Sequence, residues 1–168
     1  MERDVLHKLD SWRDSSFRKP LMIKGARQVG KTWALREFGR TRYRNCVYVS
    51  LEEIAPGVPS EYAQLFSQTR DPRRILSNLS LATGQPIDPG ETLIVLDEIQ
   101  DCPAAIGALK YFCDEAPEYH VACAGSLLGV RLARASSSFP VGKVEFLEMG
   151  PLTFSEFLRA VGAGNLDE

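Results

Sequence analysis

The sequence predicts an α/β fold built on an open, largely parallel sheet. Five short apolar runs of strand length alternate along the chain with segments whose apolar residues recur at helical spacing. Three of these runs end directly in a glycine-rich or polar motif, at the position where strands of an open parallel sheet border a ligand crevice. A length of 168 residues, with 44% apolar and 25% charged residues, is typical of one globular domain with its own core.

The first half of the chain is predicted to contain helices and strands in alternation. Apolar spacing over residues 5–12 predicts an amphipathic helix that packs on the domain or on a partner. The next elements are predicted as a strand at Leu21–Lys24, a helix at 31–38, a strand at 46–51 and a helix at 61–67. Asp71 then begins another helix as its N-cap, with Pro72 in the first turn.

The second half continues the same alternation. Residues 92–96 form a continuous apolar run, which is typical of a central parallel strand covered on both faces. The following elements are predicted as a helix from near Pro103 and strands at His120–Ala124 and 143–147. Thr153 and Glu156 have the spacing of a capping box, which predicts a last helix that ends near Val161.

A glycine-rich loop directly follows the first predicted strand and has the pattern G-x-x-x-x-G-K-[ST]. Its residues are Gly25-Ala26-Arg27-Gln28-Val29-Gly30-Lys31-Thr32. The two glycines let backbone N–H groups turn inward around an anion, and the following helix directs its positive end at the phosphates. Lys31 would reach the β- and γ-phosphates, and the Thr32 hydroxyl would bind Mg²⁺. The loop therefore predicts a bound nucleotide with Mg²⁺, and the alternative is a glycine turn without a ligand.

An acidic pair follows the central apolar strand. Asp97 is placed to hold the magnesium shell, as in the Walker B element of P-loop proteins. Glu98 comes one residue later and points differently, so it is placed to polarise the water that attacks the γ-phosphate. This favours hydrolysis over nucleotide binding alone, and the alternative for the pair is a solvated turn at the end of a strand.

Other candidate residues keep two interpretations each. Ser126 follows the strand at His120–Ala124, where its hydroxyl would contact the γ-phosphate or the attacking water, or else cap a helix. A transition-state cation is expected in phosphoryl transfer, and Arg131, Arg134 and Lys143 are candidates for it or are surface charges. Trp33 would stack on a base or pack in the core.

Composition argues against several classes of protein. The four cysteines show no C-x-x-C pair and no histidine at zinc-ligand spacing, which predicts a reduced, cytoplasmic setting. The amino terminus lacks the apolar stretch of a signal peptide, and no segment approaches the roughly 20 apolar residues that span a bilayer. No membrane partner is therefore expected.

Charge leaves the question of nucleic acid open. The net charge of −2 provides no attraction of the whole domain to a polyanion. Between Arg13 and Arg44, however, ten basic residues stand against two acidic ones. This segment is either the solvated edge of a phosphate-binding region or a polynucleotide surface.

The motifs in this order resemble those of the bacterial and archaeal AAA-type ATPases that carry a C-terminal domain of unknown function after the ATPase core. The resemblance covers residues 19–158 and rests on the glycine loop, Asp97-Glu98-Ile99-Gln100, Leu109-Lys110, Gly125-Ser126 and Pro151-Leu152-Thr153-Phe154-Ser155-Glu156-Phe157. It implies a three-layer, AAA-like P-loop NTPase core with five parallel strands, together with ATP binding and hydrolysis. It also implies that residues 1–168 are a single ATPase domain from the N-terminal part of a longer protein.

One departure from the family pattern concerns the cation. The family's Gly-Arg before the last strand is Gly142-Lys143 here, and lysine keeps the charge without the forked geometry of arginine. The chain is therefore interpreted as an ATPase that couples Mg²⁺-dependent hydrolysis to a partner, to self-association or to a conformational change. Its predicted catalytic residues are Glu98, Lys31 and Ser126. The alternatives are a nucleotide-binding assembly module without hydrolysis and a small P-loop kinase.

Overall fold

The structure is a computed structural model that describes residues 3–126 and 139–162. Its helices are α1 (Asp4–Asp14), α2 (Lys31–Arg42), α3 (Glu61–Gln68), α4 (Pro72–Thr83), α5 (Pro103–Glu115) and α6 (Phe154–Ala160). Its strands are β1 (Leu21–Lys24), β2 (Asn45–Ser50), β3 (Thr92–Asp97), β4 (His120–Ala124) and β5 (Glu145–Glu148). A short 3₁₀ turn at Ile99–Asp101 joins β3 to α5.

The five strands form one sheet in the order β2-β3-β4-β1-β5, and every neighbouring pair is parallel. This confirms the predicted α/β fold with a five-stranded parallel sheet. The connection out of β1 passes over β4 and β3 to the edge strand β2, whereas β5 lies on the other side of β1. Because all strands point the same way, the loops that follow β1, β2, β3 and β4 meet at one edge of the sheet.

The core consists of two apolar layers, one on each face of the sheet. Every residue of β3 is buried, and successive side chains enter opposite layers: Leu93 packs toward α1 and α2, whereas Ile94 packs toward α3, α4 and α5. The central strand is apolar throughout because helices cover both of its faces. The domain has three layers, as predicted.

The helix starts follow the capping chemistry of the sequence. The Asp71 carboxylate accepts a hydrogen bond from the Arg73 N–H at 3.0 Å and begins α4. Thr153 and Glu156 form the predicted capping box at the start of α6. The buried side chain of α6 is the Glu156 carboxylate, while both phenylalanines of this helix lie exposed. An amphipathic helix normally buries its apolar side, so this carboxylate requires a partner.

The last strand differs from its predicted range. It begins at Glu145 rather than at residue 143, because Gly142 has a positive φ of 75° and the Lys143 N–H closes a turn onto the Pro140 carbonyl at 3.0 Å. Helix α2 is longer than predicted and ends at Arg42. Within the described residues, every helix is too short or too polar to cross a membrane.

Candidate functional site

A polar cleft of about 630 Å³ lies at the carboxyl edge of the sheet. The glycine-rich loop and the first turn of α2 form one wall, and the ends of β3 and β4 form the floor. The loop after β2 contributes Glu52 and Glu53, which sequence analysis did not single out. The fold thus brings together the three polar motifs that follow β1, β3 and β4.

The glycine-rich loop has a backbone that only part of its sequence explains. Gly30 caps α2 with a φ of 94°, and Gln28 also has a positive φ, of 64°, which is uncommon outside glycine. A Cβ at Gly25 would lie 2.2 Å from the Met149 carbonyl oxygen, so this position has no room for a side chain. The loop therefore runs against the residues after β5, and this close approach requires glycine.

Lys31 is turned back onto its own loop. Its ammonium donates to the carbonyls of Gly25 at 2.8 Å and Ala26 at 2.6 Å. Burial lowers the pKa of Lys31, and the nearby carboxylates of Glu98 and Asp97 partly oppose that shift. Lys31 lines the cleft, where its flexible side chain can exchange these carbonyls for an anion.

Asp97 joins the loop to the sheet and is only 5% exposed. Its Oδ2 accepts hydrogen bonds from the Thr32 hydroxyl at 2.7 Å and from the Tyr48 hydroxyl at 2.8 Å. Its Oδ1 accepts from the Glu98 N–H at 2.9 Å. Carboxylate and hydroxyl oxygens are the ligands that Mg²⁺ prefers, so this pair of side chains fits a magnesium ion shared with phosphate oxygens.

Tyr48 was missed by sequence analysis. It lies opposite Val95 in the β2–β3 pairing, two residues before the Ser50–Asp97 pair, so it shares the face of Asp97. Burial, followed by the hydrogen bond to Asp97, raises the pKa of Tyr48. Arg36 of α2 lies over the ring, at 4.3 Å from its centroid. No sequence signal identifies this contact, because it depends on which strand pairs with β3.

Glu98 adopts a left-handed backbone conformation with φ 50° and ψ 42°. Its Oε2 accepts hydrogen bonds from the Gln100 amide and from the Ser126 hydroxyl, the latter at 3.4 Å. The Arg27 guanidinium in turn donates to the Ser126 hydroxyl at 3.4 Å. Ser126 therefore lies between the glycine-rich loop and Glu98, at the floor of the cleft. Left-handed backbone at a non-glycine residue is often associated with function.

The structure does not bring every candidate to the cleft. Lys143 precedes β5, at the amino edge of the sheet, and its ammonium pairs with Asp114 at 2.6 Å. The candidate cations Arg131 and Arg134 lie outside the described residues. Trp33 lines the cleft and also packs partly on the apolar layer beneath α2. Its position is therefore compatible both with stacking on a base and with packing in the core.

The basic segment between residues 13 and 44 is partly neutralised. Arg42 and Arg13 both pair with Asp10, which lies on α1 just before the segment, at 2.9 and 3.8 Å. Arg40 pairs with Glu37 at 2.8 Å.

Among the described residues, no cluster of three His, Cys, Asp or Glu side chains could hold a metal ion alone.

Comparisons with known proteins agree with the fold. The profile of a family described as "AAA domain" matches residues 17–158. No curated protein sequence matches the chain. Among solved structures, a Walker-type ATPase of Pyrococcus abyssi is similar with a TM-score of 0.60 and 18% identity, over 96% of this chain and 59% of that one.

Two helicase structures have a similar fold. Pif1 helicases described as unwinding forked double-stranded DNA match with a TM-score of 0.52 and 14% identity, over 96% of this chain and 47% of theirs. Bacteroides Pif1 helicase in complex with ADP-AlF3 and single-stranded DNA matches with a TM-score of 0.52 and 15% identity, over 91% of this chain and 43% of that one. The chain spans less than two thirds of each of these proteins, and the similarity is one of fold.

Proposed function

The chain belongs to the AAA domain family, and from this premise we propose that it binds ATP with Mg²⁺ in the cleft and hydrolyses it. Family membership supports nucleotide binding and ATPase chemistry in general. The observation that carries the finer proposal is the contact of the Thr32 hydroxyl with the Asp97 carboxylate at 2.7 Å, beside Lys31 and Glu98. A hydroxyl and a carboxylate for Mg²⁺, an ammonium for the phosphates and a second carboxylate for the water are a set of groups that can support phosphoryl transfer to water.

The glycine-rich loop is assigned to the phosphates. Gly25 through Thr32 provides backbone N–H groups and the N-terminus of α2, both of which favour a bound anion. Lys31 would leave the carbonyls of Gly25 and Ala26 and pair with the β- and γ-phosphates. This exchange replaces two neutral acceptors by charged ones, and charge-assisted hydrogen bonds are the stronger kind.

Thr32 and Asp97 are assigned to Mg²⁺. Bound Mg²⁺ would neutralise charge on the phosphate oxygens during transfer. Tyr48 and the Glu98 N–H hold the Asp97 carboxylate in one orientation through hydrogen bonds of 2.8 and 2.9 Å. The chain itself thus orients this ligand from three sides, since Thr32 provides the third contact.

Glu98 is assigned to the attacking water. Its carboxylate would accept a hydrogen bond from the water and take its proton while the water oxygen bonds to the γ-phosphorus. The bond from the γ-phosphorus to the bridging oxygen then breaks, and ADP leaves with that oxygen. Ser126 lies within 3.4 Å of Glu98, so its hydroxyl would orient either the carboxylate or the γ-phosphate.

The test is Mg²⁺-dependent ATP turnover by the wild type, Lys31→Ala and Glu98→Gln, with nucleotide binding measured on all three. We expect Lys31→Ala to lose binding, and Glu98→Gln to bind ATP but to turn it over about 100-fold more slowly or worse. Lys143→Ala is a matched control, because it removes a lysine ion pair at the other edge of the sheet. Turnover that survives in Glu98→Gln would remove Glu98 from the mechanism.

A wild type that binds ATP without turnover would favour the assembly module over the ATPase. Transfer of the γ-phosphate to an added metabolite, in place of water, would favour the kinase. We further propose that hydrolysis is coupled to a protein partner, to self-association or to a conformational change. A nucleic-acid partner would instead be recognised by binding that falls steeply as the salt concentration rises.

A further inference from the structure

A buried arginine near the start of the chain contacts the glycine-rich loop. Arg3 is 3% exposed and donates hydrogen bonds to three separate segments. Its Nε donates to Glu156 Oε1 at 3.0 Å, its Nη1 to the Val29 carbonyl at 3.2 Å, and its Nη2 to the Gly150 carbonyl at 3.1 Å. The fork of one guanidinium therefore joins the amino terminus, the loop, the residues after β5 and α6.

Glu156 is the buried partner of this arginine. Its carboxylate also accepts from the N–H groups of Asp4 at 3.0 Å and Thr153 at 2.8 Å. Burial alone would raise the pKa of Glu156, but the hydrogen bonds from Thr153 and Asp4 and the charge of Arg3 lower it to about 2. Glu156 thus stays ionised throughout the physiological range, and Arg3 is the partner that this buried carboxylate of α6 requires.

The contact with Val29 bears directly on the nucleotide site. The carbonyl and the following N–H of a trans peptide point in opposite directions, so holding the Val29 carbonyl on Arg3 turns the Gly30 N–H away from the arginine. Gly30 lines the cleft and caps α2. Arg3 therefore sets the orientation of a peptide group at the N-terminus of α2, where the phosphates are proposed to bind.

The residues that Arg3 holds on its other side also touch the loop. Gly150 follows Met149, whose N–H donates to the Lys24 carbonyl at 2.8 Å and whose own carbonyl fills the space beside Gly25. The segment after β5 thus supports the first glycine of the loop directly. Through Arg3 it also supports the second glycine, so both ends of the phosphate loop rest on one connected set of contacts.

We propose that Arg3 is a positioning residue for the glycine-rich loop, and that the Arg3–Glu156 pair couples nucleotide binding to helices α1 and α6. The inference rests on the proposed function of the cleft and adds a route by which its occupancy reaches the surface of the domain. A nucleotide that fixes the peptide between Val29 and Gly30 also favours the arrangement in which Arg3 holds Glu156. Linkage makes this coupling reciprocal. The factor by which bound nucleotide favours the Arg3–Glu156 arrangement is also the factor by which that arrangement raises nucleotide affinity.

A second ion pair provides the matched control. Arg159 Nη2 pairs with Asp4 Oδ1 at 2.6 Å and joins the same two helices, α6 and α1. Its side chains are 42% and 58% exposed, and the Arg159 guanidinium donates its hydrogen bond to Asp4 rather than to the loop. Removal of the Arg159–Asp4 pair weakens the contact between α1 and α6 and leaves the hydrogen bond to the Val29 carbonyl in place. A change at Arg3 affects both the contact between the helices and the hydrogen bond to Val29.

The first experiment compares ATP affinity of the wild type, Arg3→Lys and Arg159→Ala by titration calorimetry, well below each variant's melting temperature. Lysine keeps the charge for Glu156 but cannot also reach both carbonyls in the planar geometry of a guanidinium. We expect Arg3→Lys to bind ATP about 10-fold more weakly, within the usual range of coupling between sites, and Arg159→Ala to bind as the wild type does. Equal affinity of Arg3→Lys and the wild type would refute the positioning role.

The second experiment needs no variant and therefore decides the case even if Arg3→Lys fails to fold. Hydrogen exchange of single amides is followed by NMR in the wild type, with and without saturating ATP and Mg²⁺. The amides of Asp4 and Thr153, both held by Glu156, are expected to exchange more slowly with nucleotide. The Arg73 amide, held in a similar cap by Asp71 away from the cleft, is expected not to change.

The outcomes separate this inference from the proposed function. A wild type that binds no nucleotide overturns the proposed function and the inference together. A wild type that binds nucleotide, without slower exchange at Asp4 and Thr153, overturns the coupling alone. Slower exchange at both amides, with weaker binding by Arg3→Lys wherever that variant folds, supports it.

Discussion

Acidification is expected to destabilise this domain through one buried histidine. His120 begins β4 and is only 7% exposed. Its Nδ1 lies 2.7 Å from the Tyr43 hydroxyl, and the rings of Tyr43 and Trp12 meet it edge-on at 5.4 and 6.0 Å. Burial, with the nearby positive charges of Arg18 and Arg13, lowers the pKa of His120 from 6.5 to about 4.

The sign of the pH effect follows from this shift. Between pH 6.5 and pH 4 the unfolded chain binds a proton at His120 that the folded chain does not, so acid favours unfolding. The two pKa values together predict that the free energy of unfolding falls by about 2 kcal/mol between pH 7 and pH 5. Glu156 has a folded pKa of about 2 against an ordinary value of 4.5, so its stabilising effect is lost mainly below pH 5 and adds little to the slope between pH 7 and pH 5.

The assay is urea denaturation followed by tryptophan fluorescence at pH 7, 6 and 5. The sequence has two histidines, which makes the control simple. His120→Gln is expected to lower stability at pH 7 and to abolish most of the pH dependence, whereas His7→Gln, on an exposed side of α1, should retain it. A wild type whose stability is flat from pH 7 to pH 5, or a slope that persists in His120→Gln, would refute this reasoning.

Two further predictions concern the cleft. Gly25→Ala should lose ATP binding, because its Cβ would lie 2.2 Å from the Met149 carbonyl oxygen; Gly107→Ala, with nothing within 4 Å, should bind ATP normally in the same titration. Unchanged affinity in Gly25→Ala would mean that the loop shifts at little cost. Tyr48→Phe should lower the free energy of unfolding by about 1.5–3 kcal/mol in urea, because it removes a hydrogen bond to the Asp97 carboxylate; no loss would mean that water replaces the hydroxyl.

Local patterns were sufficient for most of the fold. The all-buried strand β3 follows from a run of apolar residues, and the starts of α4 and α6 follow from caps whose side chain and target lie within three residues. The glycine-rich loop is likewise a contiguous motif. Such features depend on interactions between neighbours in sequence, so a pattern of residue types carries them.

Element ends were less accessible to sequence analysis. The start of β5 depends on a turn that Gly142 allows and on its pairing with β1, which decides where the ladder begins. The 3₁₀ turn at Ile99–Asp101 depends on the left-handed backbone of Glu98, which the sequence pattern does not reveal. Lys143 was a candidate for the transition-state cation, with a surface charge as the alternative, and its place at the amino edge of the sheet separates it from the cleft.

Sequence patterns were enough to predict an α/β domain with a parallel sheet, a phosphate-loop motif, and an acidic pair and a serine at strand ends that meet at one edge. The side chains that support these motifs became visible in the folded chain. Tyr48 reaches Asp97 because β2 pairs with β3 in a particular register, and Arg3 reaches Glu156 across 153 residues of chain. Contacts between distant segments carry no periodicity or local motif, since they are selected by the packing of the whole chain.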